Sequence, residues 1–504
     1  MKYFMGIDIG TTGVKALIVG QDGSVTKGKS VGYSLMFPND GWVEQNPDEM
    51  WQAVLGAMEN VLRVFHGNRG DILSISLSTQ RDTLICVDQN NEAVYNAITW
   101  MDSRAISECN QLSADIGSDY VHSTTGVNIS TIWTLAFILW IRNHNKEVYD
   151  RTACFGLVHD DIMCRLGAQE HVLDYSNACQ TMLFDYKALC WDQKLMEYAG
   201  LCKTKLPMLV NSGTIIGNLA AELAQRFGLS PNIVLVAGGG DQQCAALGAG
   251  AVKNQDVEIG IGTAANLLCI TNTPIEDEQQ RMICHRSTSS ETFVLEGAML
   301  AVGRLIEWLK TEIFSGSSFD EINELIQNKT VPGSQGIIVL PHFEGAACPY
   351  WNPTARGAIM GLTLSTSKAD IARAFIESTC FEIKKCLDVL QSFNVYPEYI
   401  LISGGATHSA VWMQILADVL ETRIRIPQES ECAALGAAIL ASIGCSAFTS
   451  LEDAADALVH TDREYVPNKD NYKIYRGIYQ KNIKVYDIIN KNGINRLLTG
   501  GIHH

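Results

Sequence analysis

Asp241 ends an apolar run and three glycines, in the stretch VLVAGGGDQQCAALG, and a small-residue helix follows it. An apolar run bounded by glycine reads as a buried strand. Glycine leaves no Cβ in the way of a ligand. A carboxylate here stands at the mouth of a sheet, where open α/β sheets bind ligands. It can take a proton from an attacking hydroxyl, or it can simply cap the helix, since Asp is a preferred capping residue. Both readings are open on this stretch alone.

A second set of chemical groups lies at the start of the chain. In GIDIGTTGVKALI two apolar runs flank a tight Gly-Thr-Thr-Gly turn, the pattern of a β-hairpin. Gly10 lets the backbone approach a phosphate. Thr11 and Thr12 offer hydroxyl and N–H donors, and Lys15 adds positive charge. Asp8, at the strand end, is placed to hold a magnesium ion directly or through water. An ordinary hairpin with solvated Asp8 and Lys15 is the bland alternative. No Walker A sequence occurs, so the P-loop route to phosphate is excluded. Around Gly262 and Thr263 the pattern returns, as strand, Gly-Thr turn, strand, in VEIGIGTAANLLCI. A third glycine turn, Gly404-Gly405-Ala406, follows the apolar run YILIS and suits an adenine lying flat on backbone.

Gln80, Arg81 and Asp82 end another apolar run. Arg81 donates and Asp82 accepts, which is what a polyol or sugar hydroxyl requires. A surface ion pair of little energetic worth is the competing reading. Trp100 follows a further strand and offers an aromatic face for the C–H side of a polyol, or is a core residue.

The elements that must position these groups follow from the pattern. Two similar hairpins in two halves suggest an internal duplication. Each half would be a sheet with helices, with phosphates between them. The expectation is an α/β protein of two ribonuclease-H-like domains of the actin/hexokinase type with a cleft between, 1–248 and 249–504. At 504 residues the chain exceeds what one core supports. Asn46 caps a helix opened by Pro47, with Met50, Val54, Met58 and Val61 at helical spacing. Beyond Leu451 the chain is more polar and reads as outer helices.

Composition narrows the function. A net charge of −17 argues against nucleic acid as a partner. The 15 cysteines form no C-x-x-C pair and read as reduced core thiols. There is no apolar run long enough to span a bilayer and the chain opens straight into a strand, so a cytoplasmic enzyme is expected.

With these motifs in order, the sequence resembles the FGGY carbohydrate kinases, and within that family the glycerol kinases. The resemblance rests on GIDIGTTGVKALI, GWVEQNPDEMW, STQRDT, DYSNACQTMLFD, AGGGDQQCAALG, LEGAML, NPTARGAIMGLTLS and SGGATHSAVWMQILAD. It implies ATP-dependent phosphorylation of a polyol or sugar hydroxyl, with ATP and Mg2+ as cofactors. Asp241 matches the base and Asp8 the metal-associated acid. Thr11, Thr12, Lys15, Gly262 and Thr263 match phosphate contacts, and Gly404, Gly405 and Ala406 the adenosine site. Arg81, Trp100, Asp241 and Gln242 match substrate contacts. Asp82 stands where glycerol kinases carry Glu, Ile132 in place of a Tyr, and Asn266 in place of a Phe. Those changes imply a larger, more hydroxylated substrate such as a tetritol, pentitol or pentose. Xylulokinases show a Met-His pair where this chain has Arg81-Asp82. Family members are commonly dimers or tetramers, so a homo-oligomer is expected. The different-class alternative is an actin- or chaperone-like ATPase switch, which shares the phosphate hairpins but needs no Arg81–Asp82–Trp100 pocket.

Overall fold

The computed structural model describes residues 1–499; residues 500–504, the end of the second expected domain, lie outside the described part. Two large mixed sheets organise it. In the first, β1 (Tyr3–Gly10), β2 (Gly13–Gly20), β3 (Val25–Lys27), β4 (Ile72–Thr79), β5 (Ile215–Asn218) and β6 (Val234–Gly240) lie in the order β3-β2-β1-β4-β6-β5, with Val31–Gly32 pairing on β2. The β3-β2-β1 pairs are antiparallel, β1-β4-β6 parallel, and β6-β5 antiparallel.

The second sheet repeats this sequence of senses. It comprises β7 (Val257–Ile261), β8 (Ala265–Thr271), β9 (Ile283–Arg286), β10 (Phe293–Met299), β11 (Tyr399–Ser403), β12 (Arg423–Pro427) and β13 (Thr461–Tyr465). The order β10-β8-β7-β11-β12-β13 runs antiparallel, antiparallel, parallel, parallel, antiparallel, with β9 added beside β10. The expected duplication is therefore present as two copies of one strand plan.

Local signals explain the helices. Helix α1 (Pro47–Val64) starts at Asn46, whose side chain accepts from Asp48 N–H at 2.8 Å, and it buries Met50, Val54, Met58 and Val61. Helix α2 (Val158–Leu166) lies beneath the first sheet's parallel strands. Helix α3 (Asp241–Ala249) leaves β6, and helix α4 (Val302–Trp308) follows β10. Helix α5 (Lys368–Ser392) starts from a capping box of Ser367 and Asp370, and helix α6 (Ala410–Leu420) from Ser409. Helix α7 (Cys432–Gly444) leaves β12, as α3 leaves β6.

Helices α3 and α7 cross back to back between the sheets. A Cβ on Gly248 would lie 1.9 Å from the Cys432 carbonyl oxygen, and one on Gly436 2.0 Å from that of Cys244. Glycine at both positions is what lets the backbones touch. Helix α7 also packs on the first sheet: a Cβ on Gly6 would meet the Ala434 carbonyl oxygen at 2.0 Å, and Ser74 Oγ donates to Ala441 O at 2.7 Å. A late segment of the chain thus completes the first half's core.

Past Leu451, three helices form as expected, Leu451–Leu458, α8 (Lys469–Lys491) and Ile494–Thr499, but β13 lies between the first two. Thr461-Asp-Arg-Glu-Tyr465 has no apolar alternation because it is an edge strand, where charged side chains are tolerated. Tertiary pairing with β12 makes it a strand.

Candidate functional site

Asp241 is the first residue of α3, and Gly240 occupies the cap position. The Asp241 carboxylate accepts from the Gln242 N–H at 2.8 Å and faces Arg81, whose Nε lies 3.4 Å from Oδ1. The capping role weighed from the sequence is therefore not the one adopted. The glycines before it have separate reasons. A Cβ on Gly238 would sit 1.7 Å from the Leu77 carbonyl oxygen, inside the sheet. One on Gly240 would sit 2.8 Å from Arg81 Cδ, so this glycine makes room for the arginine that faces Asp241.

Arg81 reaches across to the second sheet. Its two terminal nitrogens donate to both oxygens of Glu296, each at 2.8 Å, a bidentate pair with both side chains almost wholly buried. Glu296 stands on β10 opposite Leu268, and His285 on β9 meets its Oε2 at 2.8 Å. Gln243 of α3 donates to His285 Nδ1 at 3.1 Å. Burial alone would raise the Glu296 carboxyl, but Arg81 and then His285 hold it well below the usual range. Burial pushes Asp241 upward; Arg81 opposes this and Glu296 adds to it.

The sequence reading set Arg81 and Asp82 side by side toward substrate hydroxyls, and in the structure the two charges act on one another. Asp82 sits at φ 70°, in the left-handed region. It is buried with Oδ1 unpartnered, and burial pushes its carboxyl well above the ordinary value against the pull of Arg81. Strain and an unsatisfied buried acceptor at one residue are the marks of a ligand-facing position.

Gln80, read from the sequence as a substrate contact, is buried; its amide N–H donates to Gln45 at 2.9 Å and Tyr33 at 3.3 Å, and its Oε1 is unpartnered. Gln45 in turn donates to the Thr11 carbonyl at 2.6 Å, and the Tyr33 hydroxyl donates to that of Gly10. Gln80 thus braces the Gly10–Gly13 turn. Trp100 is exposed, and its indole N–H donates to Thr11 Oγ1 at 3.2 Å. Trp100 and the Gly10–Gly13 turn are thereby joined.

In that turn Gly10 pairs with Gly13, Thr12 is exposed, and Asp8 stands opposite Lys15. Asp8 Oδ1 accepts from Ser78 Oγ at 2.7 Å. Burial first, then Asp241 and Glu431, raise its carboxyl to about 7 against Ser78 and Lys15. Lys15 is bonded to Glu431 at 2.6 Å, at the start of α7. That pairing of Lys15 with a distant glutamate was not read from sequence.

The second turn is built alike. Gly262 and Thr263 are exposed, and their carbonyls accept from the Gly303 and Arg304 N–H groups of α4, each at 3.1 Å. Gly404 has φ 89°, and a Cβ there would meet the Ile261 carbonyl oxygen at 2.5 Å, so the third turn abuts the end of β7. A Cβ on exposed Gly405 would meet nothing, and Ala406 is buried behind it. Asn266 lies on β8 between Gly260 and Ala298, half-buried, and Gln242 is half-buried beside Asp241.

The sequence reading missed Glu296, His285 and Glu431 as site residues. For Glu296 a signal existed: a lone carboxylate inside Phe293-Val-Leu-Glu-Gly must find a buried partner. Nothing local marks His285 or Glu431.

Residues 3–248 match the N-terminal domain of the FGGY family of carbohydrate kinases, and residues 257–445 match its C-terminal domain. This chain belongs to that family. Three kinds of relative stand at similar identity. A gluconokinase of Bacillus subtilis is 30% identical over 94% of each chain. A xylulose kinase of Staphylococcus epidermidis is 29% identical over 97% of this chain and 96% of its own. A glycerol kinase of Halothermothrix orenii is 31% identical over 94% and 97%. In fold, the chain is similar to a ligand-bound xylulose kinase from Lactobacillus acidophilus, with a TM-score of 0.91 at 24% identity over 97% of this chain and 99% of that one. It is also similar to a Plasmodium falciparum glycerol kinase with ADP, at 0.87 and 23% over 96% and 98%. The two-domain actin/hexokinase-type architecture is that of these FGGY kinases, and kinase membership makes ATP the co-substrate. Among the described residues no helix is long and apolar enough to cross a membrane.

Proposed function

We propose that this enzyme transfers the γ-phosphoryl group of ATP to a hydroxyl of an uncharged polyol or sugar, with Asp241 as general base. The observation that carries the neutral-substrate reading is the charge balance around Arg81. One guanidinium faces three carboxylates, bidentate to Glu296 and 3.4 Å from Asp241, with Asp82 beside it. No positive charge is left over for a substrate carboxylate. What remains is the unpartnered acceptor of Asp82 and the Trp100 face, which suit hydroxyls and C–H groups.

In this reading Asp241 accepts the hydroxyl proton, its basicity raised by burial and held in check by Arg81. The Gly10–Thr12 and Gly262–Thr263 turns meet the phosphates, Lys15 leaves Glu431 for them, and Gly404–Ala406 supports the adenine. Asp8 fits a hard cation: burial and the Asp241 and Glu431 charges raise its carboxyl to about 7, and only Ser78 and Lys15 oppose them. Asp8 would hold Mg2+, which supplies charge neutralisation on the transferring phosphoryl. Positioning and electrostatics carry the reaction. The two domains divide at 248/249 as lobes, the enzyme works in the cytoplasm, and it assembles as a dimer or tetramer, which light scattering of the purified protein checks.

The deciding experiment is ADP release against glycerol, erythritol, the pentitols, xylulose, ribulose and gluconate. A neutral substrate should give the highest kcat/KM. A four- or five-carbon preference supports enlargement at Ile132 and Asn266. Gluconate tenfold above every neutral compound overturns the charge argument. ATP hydrolysis indifferent to every added polyol moves the assignment to an ATPase switch.

A further inference from the structure

On the first domain three metal-ligating side chains converge that the proposed reaction does not use, and a fourth, Cys164, lies against one of them. Cys154 lies on the strand Cys154–Leu157, Asp160 and Cys164 stand four residues apart on one face of α2, and His171 follows in the next loop. One donor atom from each of Cys154, Asp160 and His171 lies within 4.8 Å of the other two. His171 Nδ1 is 2.6 Å from Asp160 Oδ2, and the Cys164 thiol interacts with the same imidazole.

The site has the supporting features of a built one. Asp160 Oδ1 accepts the Leu157 N–H at 2.6 Å, which fixes the carboxylate and leaves Oδ2 turned to the cluster. A Cβ on Gly156 would lie 2.1 Å from that Oδ2, so glycine is what admits the carboxylate between strand and helix. Cys154 and Asp160 are buried, while Cys164 and His171 are half-buried, which leaves an entry path.

Two thiols, an imidazole and a carboxylate form a donor set for a tetrahedral, thiophilic divalent ion. We infer that Cys154, Asp160, Cys164 and His171 form a structural zinc site. Binding exchanges the protons of Cys154, Cys164 and His171 for the ion. The site ties both ends of α2 to the sheet. His159 of that helix accepts the Gly238 N–H at 2.9 Å, two residues before Gly240, so the ion steadies the support of the Asp241 turn.

The test uses the full-length protein, stripped of metal by dialysis and titrated with Zn2+ or Co2+ alone. One equivalent of Co2+ should give the near-ultraviolet thiolate-to-metal absorption, and Zn2+ should displace it and raise the melting temperature. Cys164→Ser and His171→Asn, both at half-buried positions, should each weaken binding at least tenfold. Cys190→Ser and Cys202→Ser, which change exposed cysteines elsewhere, should leave it unchanged. No uptake, Co2+ bound without a thiolate band, or affinity indifferent to Cys164 and His171 would each overturn the inference. Because wild-type uptake is read first, a poorly folding variant does not decide the outcome. The readout is independent of kinase activity.

Discussion

Glu296→Gln tests whether the two sheets are joined through the proposed base. The substitution keeps the shape of the side chain and one acceptor, but it removes the charge that Arg81 grips with two bonds of 2.8 Å. Breaking a buried pair by removing one partner costs about 3–5 kcal/mol. The retained oxygen and the nearby Asp241 place this case near about 3 kcal/mol. At about 2–4 °C per kcal/mol for domains of this size, the melting temperature should fall by roughly 6–12 °C. Arg81, released from Glu296, should close on Asp241 from its present 3.4 Å. Closure to about 2.8 Å adds about 1 kcal/mol of attraction at an effective dielectric near 20. The loss of the nearby negative charge acts in the same direction. The base then weakens by about one pKa unit, and kcat should fall roughly tenfold or more. The assay is coupled ADP release, with kcat and KM resolved, beside thermal melts with and without substrate. A variant with kcat within threefold of the parent and an unchanged melting temperature would refute the linkage.

Three further outcomes are expected. Asp241→Asn should lose about 10²–10⁴ in kcat while keeping nucleotide binding by calorimetry; near-normal turnover sinks the base assignment. Gly240→Ala sets a Cβ 2.8 Å from Arg81 Cδ, so overpacking of about 1–3 kcal/mol should displace Arg81 and cut kcat/KM for the polyol with little change in ATP KM; an unaltered polyol kcat/KM would mean that Arg81 adjusts freely. Glu258, wholly buried on β7 with Ser403 donating at 2.6 Å, has its carboxyl raised by burial from 4.5 to about 8. The folded state therefore holds a proton that the unfolded chain has released. Wild-type stability should fall as pH rises from 4.5 to about 8 and then level off, by up to several kcal/mol at about 1.36 kcal/mol per unit. Glu258→Gln should flatten that slope in melts between pH 5 and 8.5, and parallel wild-type and variant curves would contradict it.

Much of the frame was legible along the chain because it is written in local pattern. The Gly-Thr turns around Gly10 and Gly262 sit between apolar runs, and both are tight hairpins in the structure. Asn46 caps a helix where its spacing places it. The triple glycine ahead of Asp241 does end a central parallel strand. A turn or a cap is decided by φ, by one short side chain and by residues three or four apart, all of which the sequence states.

Partnership between charges is decided otherwise. Arg81 is bound to Glu296, 215 positions away, and Lys15 to Glu431, 416 positions away. Asp82, next to Arg81 in sequence, sits in the left-handed region and keeps its Oδ1 unpartnered. Gln80, just past the end of β4, reaches Gln45 and Tyr33 under the hairpin, residues 35 and 47 positions away. The packing of α7 on the first sheet, and β13 as a strand, likewise follow from which elements meet. The sequence by itself determined the elements, their order, their duplication and the residue types able to do phosphoryl chemistry. Only the tertiary structure decided which of those residues face one another, since a buried charge takes its partner from the crossing of two sheets rather than from its position in the chain.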